Sequence, residues 1–222
     1  MQRMAWLGIA AVVVSACSSD SRQSPAQPES ITVPLRVTTA QHAGEAHNQS
    51  VHLSGDQEVF TPATAGAPTP ADSNAQGQGI FQIAADGQSF DYKLIASNIE
   101  NVVQAHIHCG PEGVNGPIVV WLYPDKTATS ALTGPTGRQD GVLMQDTILP
   151  AHVRTFTVNA ANTAACPLAT AGAPTFAEIL EKIRGGNAYV NIHTNDGVAP
   201  TNTGPGDFPG GEVRGQFKDR VK

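Results

Sequence analysis

The chain has 222 residues, a formal net charge of −6 and only 14% charged residues, and it contains 22 glycines and 16 prolines. This composition predicts one domain of short strands and many turns, with tails outside it. The basic residues are scattered along the chain, which argues against nucleic acid as a partner because a phosphate backbone is bound by clustered positive charge.

The first residues predict export from the cytoplasm. Arg3 precedes a ten-residue apolar run, Ala5–Val14, and small residues follow it, so residues 1–16 are predicted to form a signal peptide. Ten residues span about 15 Å as a helix, roughly half of a hydrocarbon core, which disfavours a permanent transmembrane helix.

The sequence "VSAC", Val14–Cys17, is similar to a bacterial lipobox. That resemblance implies that Cys17 carries a lipid and becomes the first residue of the mature protein. The expected product is a membrane-anchored lipoprotein that faces the periplasm or the cell exterior. Plain secretion after cleavage near Ala16 is the alternative.

The character of the chain changes near residue 50. Residues 17–50 are rich in Ser, Pro, Gln and Ala without a sustained period, and they are predicted to be a flexible tether. Residues 51–222 consist of short alternating runs separated by Gly, Pro, Asn and Asp. This pattern predicts an all-β domain, an antiparallel sandwich of Greek-key, immunoglobulin-like or superoxide-dismutase-like type.

Apolar residues alternate on both sides of "ADGQ", Ala85–Gln88, whose Asp-Gly pair predicts a hairpin. Five further short strands are predicted: Val103–Ile107, Ile118–Tyr123, Thr155–Val158, Ala188–Ile192 and Glu212–Phe217.

One short inserted helix is predicted after Thr175, which with Glu178 forms a capping box, and Gly185 occupies the C-cap position. Two long segments rich in turn residues, Thr61–Gly79 and Asn195–Gly211, are predicted to be loops that are either functional or disordered.

Three histidines form the candidate metal site. His106 and His108 lie two residues apart and therefore share a strand face, opposite the core-type residue Ile107. His193 likewise lies off the apolar face of its strand. If the two strands are neighbours, three imidazoles converge in a set that suits zinc or copper, and the nearby glycine turn leaves room for water. The alternative is that the histidines are solvated or hydrogen-bonded residues that order loops.

The cysteine count predicts a disulfide. Assigning Cys17 to the lipid leaves Cys109 and Cys166 as an even pair in an oxidising compartment. The alternative is that the Cys109 thiol, beside His108, binds a metal.

Three further residues are candidate ligand contacts. Glu212 and Arg214 are two apart on a predicted strand, so they can form an ion pair or contact a ligand. Asn191 or Glu212 can accept a hydrogen bond from a metal-binding histidine ring and so orient it. No sequence motif for a nucleophile elbow, a P-loop or a zinc-protease helix is present, so no catalytic residue is assigned.

Six sequence blocks occur in the order found in a known family. The chain resembles the CHRD domain, named for chordin, over about Val51–Lys218, and the blocks are "LSGDQEV", "GQG", "DGQSFDYKL", "AHIHCGPEGVNGPIVVWL", "GGNAYVNIHT" and "PGGEVRGQF". The resemblance implies an extracellular all-β domain of poorly defined activity, present in bacteria and in an animal morphogen antagonist. Two segments are longer than is usual in the family, Asp196–Phe208 and Ala160–Thr175.

The motif His-x-His followed by glycine is also similar to copper-zinc superoxide dismutases. Those enzymes need further histidines and an aspartate for a two-metal site, and no histidine lies between His108 and His152.

The sequence thus favours a cell-envelope binding or structural module without assigned catalysis. The alternative is a copper- or zinc-binding envelope protein with a redox-related role. Expected partners are the membrane, through the lipid, and an extracytoplasmic protein, a metal or a small ligand.

Overall fold

The computed structural model describes residues 47–219. The predicted signal peptide, Cys17 and residues 17–46 of the predicted tether lie outside this range. The described part contains eight strands, which we number in chain order: β1 His47–Ser54, β2 Gln76–Ile83, β3 Phe90–Glu100, β4 Val102–Cys109, β5 Ile118–Tyr123, β6 Arg138–Ile148, β7 Ala188–Thr194 and β8 Val213–Gln216. It also contains two α-helices, α1 Ala160–Ala165 and α2 Phe176–Arg184.

The strands form one eight-stranded sheet around a shared core, in agreement with the predicted all-β sandwich. Their order is β5-β4-β7-β8-β1-β2-β3-β6, and every pairing is antiparallel. The two halves of this order are joined at β8 and β1 by one residue pair, Ser54 opposite Arg214. Apolar side chains from both halves share one buried core. Within that core the Tyr92 hydroxyl on β3 donates to the Leu122 carbonyl on β5 at 2.6 Å.

The predicted hairpin is confirmed between β2 and β3. Its apolar residues alternate as expected, with Phe81, Ile83 and Phe90 buried in the core. The turn closes through the Gly87 amide, which donates to the Ala84 carbonyl at 2.9 Å. Gly87 has a φ of 66°, a conformation that glycine adopts without steric cost.

The prediction of a strand at Thr155–Val158 is wrong, and the strand β6 was not predicted. Thr155–Val158 is irregular chain between β6 and α1. Its β-branched residues have strand propensity, but that propensity takes effect only where a neighbouring strand is available. In β6 only Ile148 is fully buried, because this strand lies at the edge of the sheet and pairs with β3 alone. It therefore lacks the apolar alternation that reveals a strand.

The predicted helix is α2, and both of its caps form. The Thr175 hydroxyl accepts from the Glu178 amide at 3.2 Å, and the Glu178 carboxylate accepts from the Thr175 amide at 2.8 Å. At the other end the Asn187 amide donates to the Lys182 carbonyl at 2.8 Å, beyond the C-cap Gly185.

The second helix, α1, was not predicted, because its sequence "AANTAA" has no apolar period. Within residues 47–219, no helix has the length and apolar character needed to cross a bilayer.

The predicted ends of the tether and of the loop Thr61–Gly79 do not coincide with the starts of the strands. β1 begins at His47, inside the range predicted as tether. β2 begins at Gln76, so the final residues of the predicted loop Thr61–Gly79 pair in the sheet, and the remainder contains a short 3-10 helix, Pro70–Asp72.

Candidate metal centre

Strands β4 and β7 are neighbours, as the three-histidine hypothesis requires. In their register Gln104 pairs with His193 and His106 pairs with Asn191. The histidine side chains leave the sheet on the face opposite the core residue Ile107. Each of His106, His108 and His193 offers one ligand nitrogen, and these three atoms lie within 4.8 Å of one another.

The histidine cluster is buried, and the expectation of an open, water-accessible site is wrong. His106, His108 and His193 are 0%, 8% and 6% exposed. The turn from Gly110 to Gly116 packs closely on β4, since a Cβ at Gly116 would lie 1.8 Å from the Cys109 carbonyl oxygen. Glycine at this position therefore allows the turn to cover the strand instead of leaving room for solvent.

Two backbone carbonyls fix the tautomers of two rings. Nδ1 of His108 lies 2.9 Å from the Gly116 carbonyl oxygen, and Nδ1 of His193 lies 2.9 Å from the Pro209 carbonyl oxygen. Because a carbonyl only accepts, Nδ1–H donates in both rings, which leaves the lone pair of each neutral ring on Nε2. Metal-binding histidines commonly donate their other ring N–H to a backbone carbonyl in this way, which fixes the orientation of the ring.

Two ring nitrogens of the cluster have no hydrogen-bond partner. They are Nε2 of His106 and Nε2 of His108, and both atoms are buried. A buried polar atom without a partner costs about 1–3 kcal/mol. A metal ion coordinated by Nε2 of His108 would remove that cost at one of the two atoms, so the residues present fit a metal.

Burial keeps the cluster neutral. Desolvation lowers the pKa of His108 to about 3 and that of His193 to about 4. Desolvation, together with the neighbouring His193 and His108, holds the pKa of His106 far below its usual value. The three lone pairs are therefore available to a metal at neutral pH without competition from protons.

Aromatic side chains surround the imidazoles. The Trp121 ring meets the His106 ring edge-on with centroids 4.2 Å apart, and the Tyr189 ring stacks on His108 at 4.8 Å. The Arg214 guanidinium carbon lies 3.4 Å from the centre of the Tyr189 ring on the sheet. Together these side chains exclude water from the nitrogen atoms.

The proposed pair Glu212 and Arg214 does not form, because each side chain has other hydrogen-bond partners. Glu212 accepts from the Thr194 hydroxyl at 2.6 Å and from the Gly206 amide at 2.8 Å. Arg214 instead donates to the turn that covers the histidines, at 3.0 Å to the Val114 carbonyl and at 3.1 Å to Asn115 Oδ1. Arg214 thus positions the turn that orients His108.

Of the two residues predicted to orient a ring, Asn191 contacts one, with its Oδ1 2.9 Å from Nε2 of His193. Sequence reasoning missed Tyr189, Glu58 and the Pro209 carbonyl as neighbours of the cluster. Tyr189 lies two residues before Asn191 and therefore on the same strand face. This spacing in the sequence was the signal that could have placed Tyr189 beside the cluster. Glu58 and Pro209 come from loops, and no sequence period indicates their position.

Cys109 and Cys166 form a disulfide, as predicted. The bond joins the end of β4 to the C-cap of α1. Because both sulfurs are in the bond, the alternative in which the Cys109 thiol binds a metal is wrong.

A comparison with protein families agrees with this fold. The family model of the CHRD domain matches residues 49–217, a range that contains nearly all of the strand residues and the three histidines. No curated protein and no solved structure matches the chain. The chain belongs to the CHRD domain family.

Proposed function

We propose that this CHRD module is an exported, membrane-anchored protein that binds one transition-metal ion through His106, His108 and His193. The observation that carries the proposal is the convergence of three buried, neutral imidazoles whose ligand nitrogens lie within 4.8 Å. Two of the rings are held by backbone carbonyls in the tautomer that directs Nε2 away from the carbonyl.

The donor set favours copper or zinc. Imidazole nitrogen suits both ions, whereas magnesium and calcium prefer oxygen ligands. Two nitrogens bound at about 2.0–2.1 Å to one tetrahedral ion lie roughly 3.3 Å apart. Nδ1 of His106 and Nε2 of His193, which share a hydrogen bond in the metal-free protein, lie 3.2 Å apart, close to this spacing. When bound, zinc would supply a Lewis acid and copper would supply a one-electron redox couple.

Calorimetry on the full chain, purified after treatment with a chelator, tests the proposal. Titration with copper(II) and with zinc should give one site per chain. His106→Ala and His193→Ala should each weaken binding by at least about 100-fold, because each removes a direct ligand. Both variants keep the strand residues that form the core.

His52→Ala is the matched control, because His52 is an exposed histidine on β1, away from the cluster. It should leave the affinity unchanged. If the wild-type protein binds neither metal, the proposal is overturned and the cluster is a polar layer that orders the covering loops. Loss of binding in one histidine variant only would contradict a three-ligand site.

A further inference from the structure

A cleft lies where the chain after β6 separates from the edge strand β5. Val153 pairs with Val120 of β5 in a single isolated bridge. Three residues later the Phe156 amide donates to the Gly172 carbonyl at 2.9 Å and no longer to the sheet. The segment therefore turns away from β5 at this point, and the two together bound a cleft of about 400 Å³.

The lining of the cleft is aromatic on two sides and carries hydroxyl groups. Trp121 of β5 and Phe156 supply the aromatic rings, and Thr129, Thr155 and Thr157 supply the hydroxyls. No aspartate or glutamate is among the described residues that line it. Sites for small organic ligands commonly combine an apolar lining with a few polar groups that fix the orientation of the ligand.

Arg154 brings a positive charge without a counter-charge to this cleft. Its Nη2 donates to the Lys126 carbonyl at 3.3 Å and to the Ala128 carbonyl at 3.0 Å, which hold the guanidinium in place. Its Nε is buried and has no hydrogen-bond partner in the described part of the chain. Neither ion pair found within residues 47–219 involves Arg154. The nearby Asp125 instead accepts from the amide and the hydroxyl of Thr127, at 2.7 and 2.6 Å.

We propose that this cleft binds a small aromatic carboxylate, with its ring against Trp121 and Phe156 and its negative charge paired with Arg154. A guanidinium forms charge-assisted hydrogen bonds that match the geometry of a planar carboxylate. One lining cation favours a ligand with one negative charge, because the ammonium group of the neighbouring Lys126 is already paired with Asp146 at 2.7 Å. This site does not depend on the proposed metal function.

Binding of 2-naphthoate to the full chain in detergent tests the proposal. The protein is first stripped of metal with a chelator and dialysed, so that a carboxylate cannot bind through a metal ion, and detergent alone is the blank. Calorimetry should give one site per chain. The neutral amide 2-naphthamide has the same shape without the charge, and acetate has the charge without the ring. Each should bind at least about tenfold more weakly than 2-naphthoate.

Variants locate the binding site. Arg154→Gln should weaken 2-naphthoate by about tenfold or more and leave 2-naphthamide unchanged, because only the charged ligand uses the guanidinium. Phe156→Leu should weaken both ligands by about threefold. Arg138→Gln is the matched control, an exposed arginine on β6 that is paired with Asp140, and it should change neither affinity. Circular dichroism of each variant verifies that the domain is folded.

The wild-type comparison keeps the proposal open to refutation even if a variant fails to fold. Absence of 2-naphthoate binding in the wild-type protein overturns it, as does equal binding of 2-naphthoate and 2-naphthamide. Unchanged 2-naphthoate affinity in a folded Arg154→Gln variant shows that the ligand binds elsewhere, and this result also overturns the proposal.

Discussion

At the scale of single residues, burial of the three imidazoles links stability to pH. Each ring has a pKa below its usual value in the folded domain, to about 3 for His108 and about 4 for His193. An unfolded chain restores a pKa of about 6.5. Glu58 acts in the opposite direction, since burial raises its pKa from 4.5 to about 7 despite the nearby Arg214.

We therefore expect the free energy of unfolding of the metal-free protein to rise with pH between about 5 and 6.5. In this window the unfolded state binds up to about three more protons at the histidines, and the folded state binds about one more at Glu58, so a net uptake accompanies unfolding. Each net proton gives a slope of about 1.4 kcal/mol per pH unit. Urea denaturation with a chelator present measures this slope.

Glu58→Gln tests whether Glu58 and the histidines affect the pH dependence of the free energy of unfolding in opposite directions. It removes the group that opposes the histidines, so the rise of stability with pH should become steeper. A flat profile in both proteins would show that the histidines do not lose protons on folding.

Trp121 should report metal binding by fluorescence. Its ring lies 4.2 Å from the ring of His106 between centroids, and the other tryptophan, Trp6, falls in the predicted signal peptide. Copper(II) should quench most of the emission of the mature protein at one equivalent, because a paramagnetic ion within contact distance quenches indole. Zinc, which has no redox or d-electron states available, should quench far less. Copper saturation without quenching would place the metal elsewhere.

At the scale of elements, the disulfide ties α1 to the strand that carries two of the histidines. Cys109 and Cys166 are 57 residues apart in sequence and both are buried. In the chain-entropy description, closing a loop of this length raises the free energy of unfolding by about 4 kcal/mol.

The double variant Cys109→Ala, Cys166→Ala should lose about this amount of stability, measured by urea denaturation. A reducing agent should lower the stability of the wild-type protein and leave that of the double variant unchanged. Mass spectrometry of non-reduced peptides from exported protein should find the linked pair. Two thiols that react with an alkylating agent would contradict the bond.

The capping box of α2 contributes separately. Thr175→Ala removes the acceptor for the Glu178 amide and should lower the free energy of unfolding by about 1 kcal/mol. Thr155→Ala, at an exposed threonine in irregular chain, is the matched control and should change stability by less than about 0.5 kcal/mol. Equal effects in the two variants would show that the cap does not stabilise the helix.

At the scale of the whole molecule, the proposal places the metal-binding domain at a membrane through the lipid on Cys17. The support is the apolar run Ala5–Val14 followed by "VSAC". Cys17→Ser should move the protein from the detergent phase to the aqueous phase in a partition experiment, because acyl chains are then absent. The folded domain and its metal affinity should be unchanged. Partition into detergent by the Cys17→Ser variant would contradict lipid attachment at this residue.

Hydrophobic periodicity in the sequence predicted those strands in which one face is apolar and the other is polar. Phe81, Phe90 and Leu94 alternate with polar residues, so the hairpin of β2 and β3 was predictable. The edge strand β6 has no such alternation, and α1 is too short and too uniform in sequence to show a period. Their existence depends on neighbours that are distant in sequence.

The sequence by itself determined the all-β class, the CHRD blocks, the disulfide pair and the histidines that share a strand face. These follow from local spacing, residue counts and resemblance. Only the tertiary structure decided that the cluster is buried, that Glu212 and Arg214 have separate partners, and that Pro209 and Asn191 contact His193. The physical reason is that strand geometry fixes which face a side chain occupies, whereas loop packing decides what covers that face.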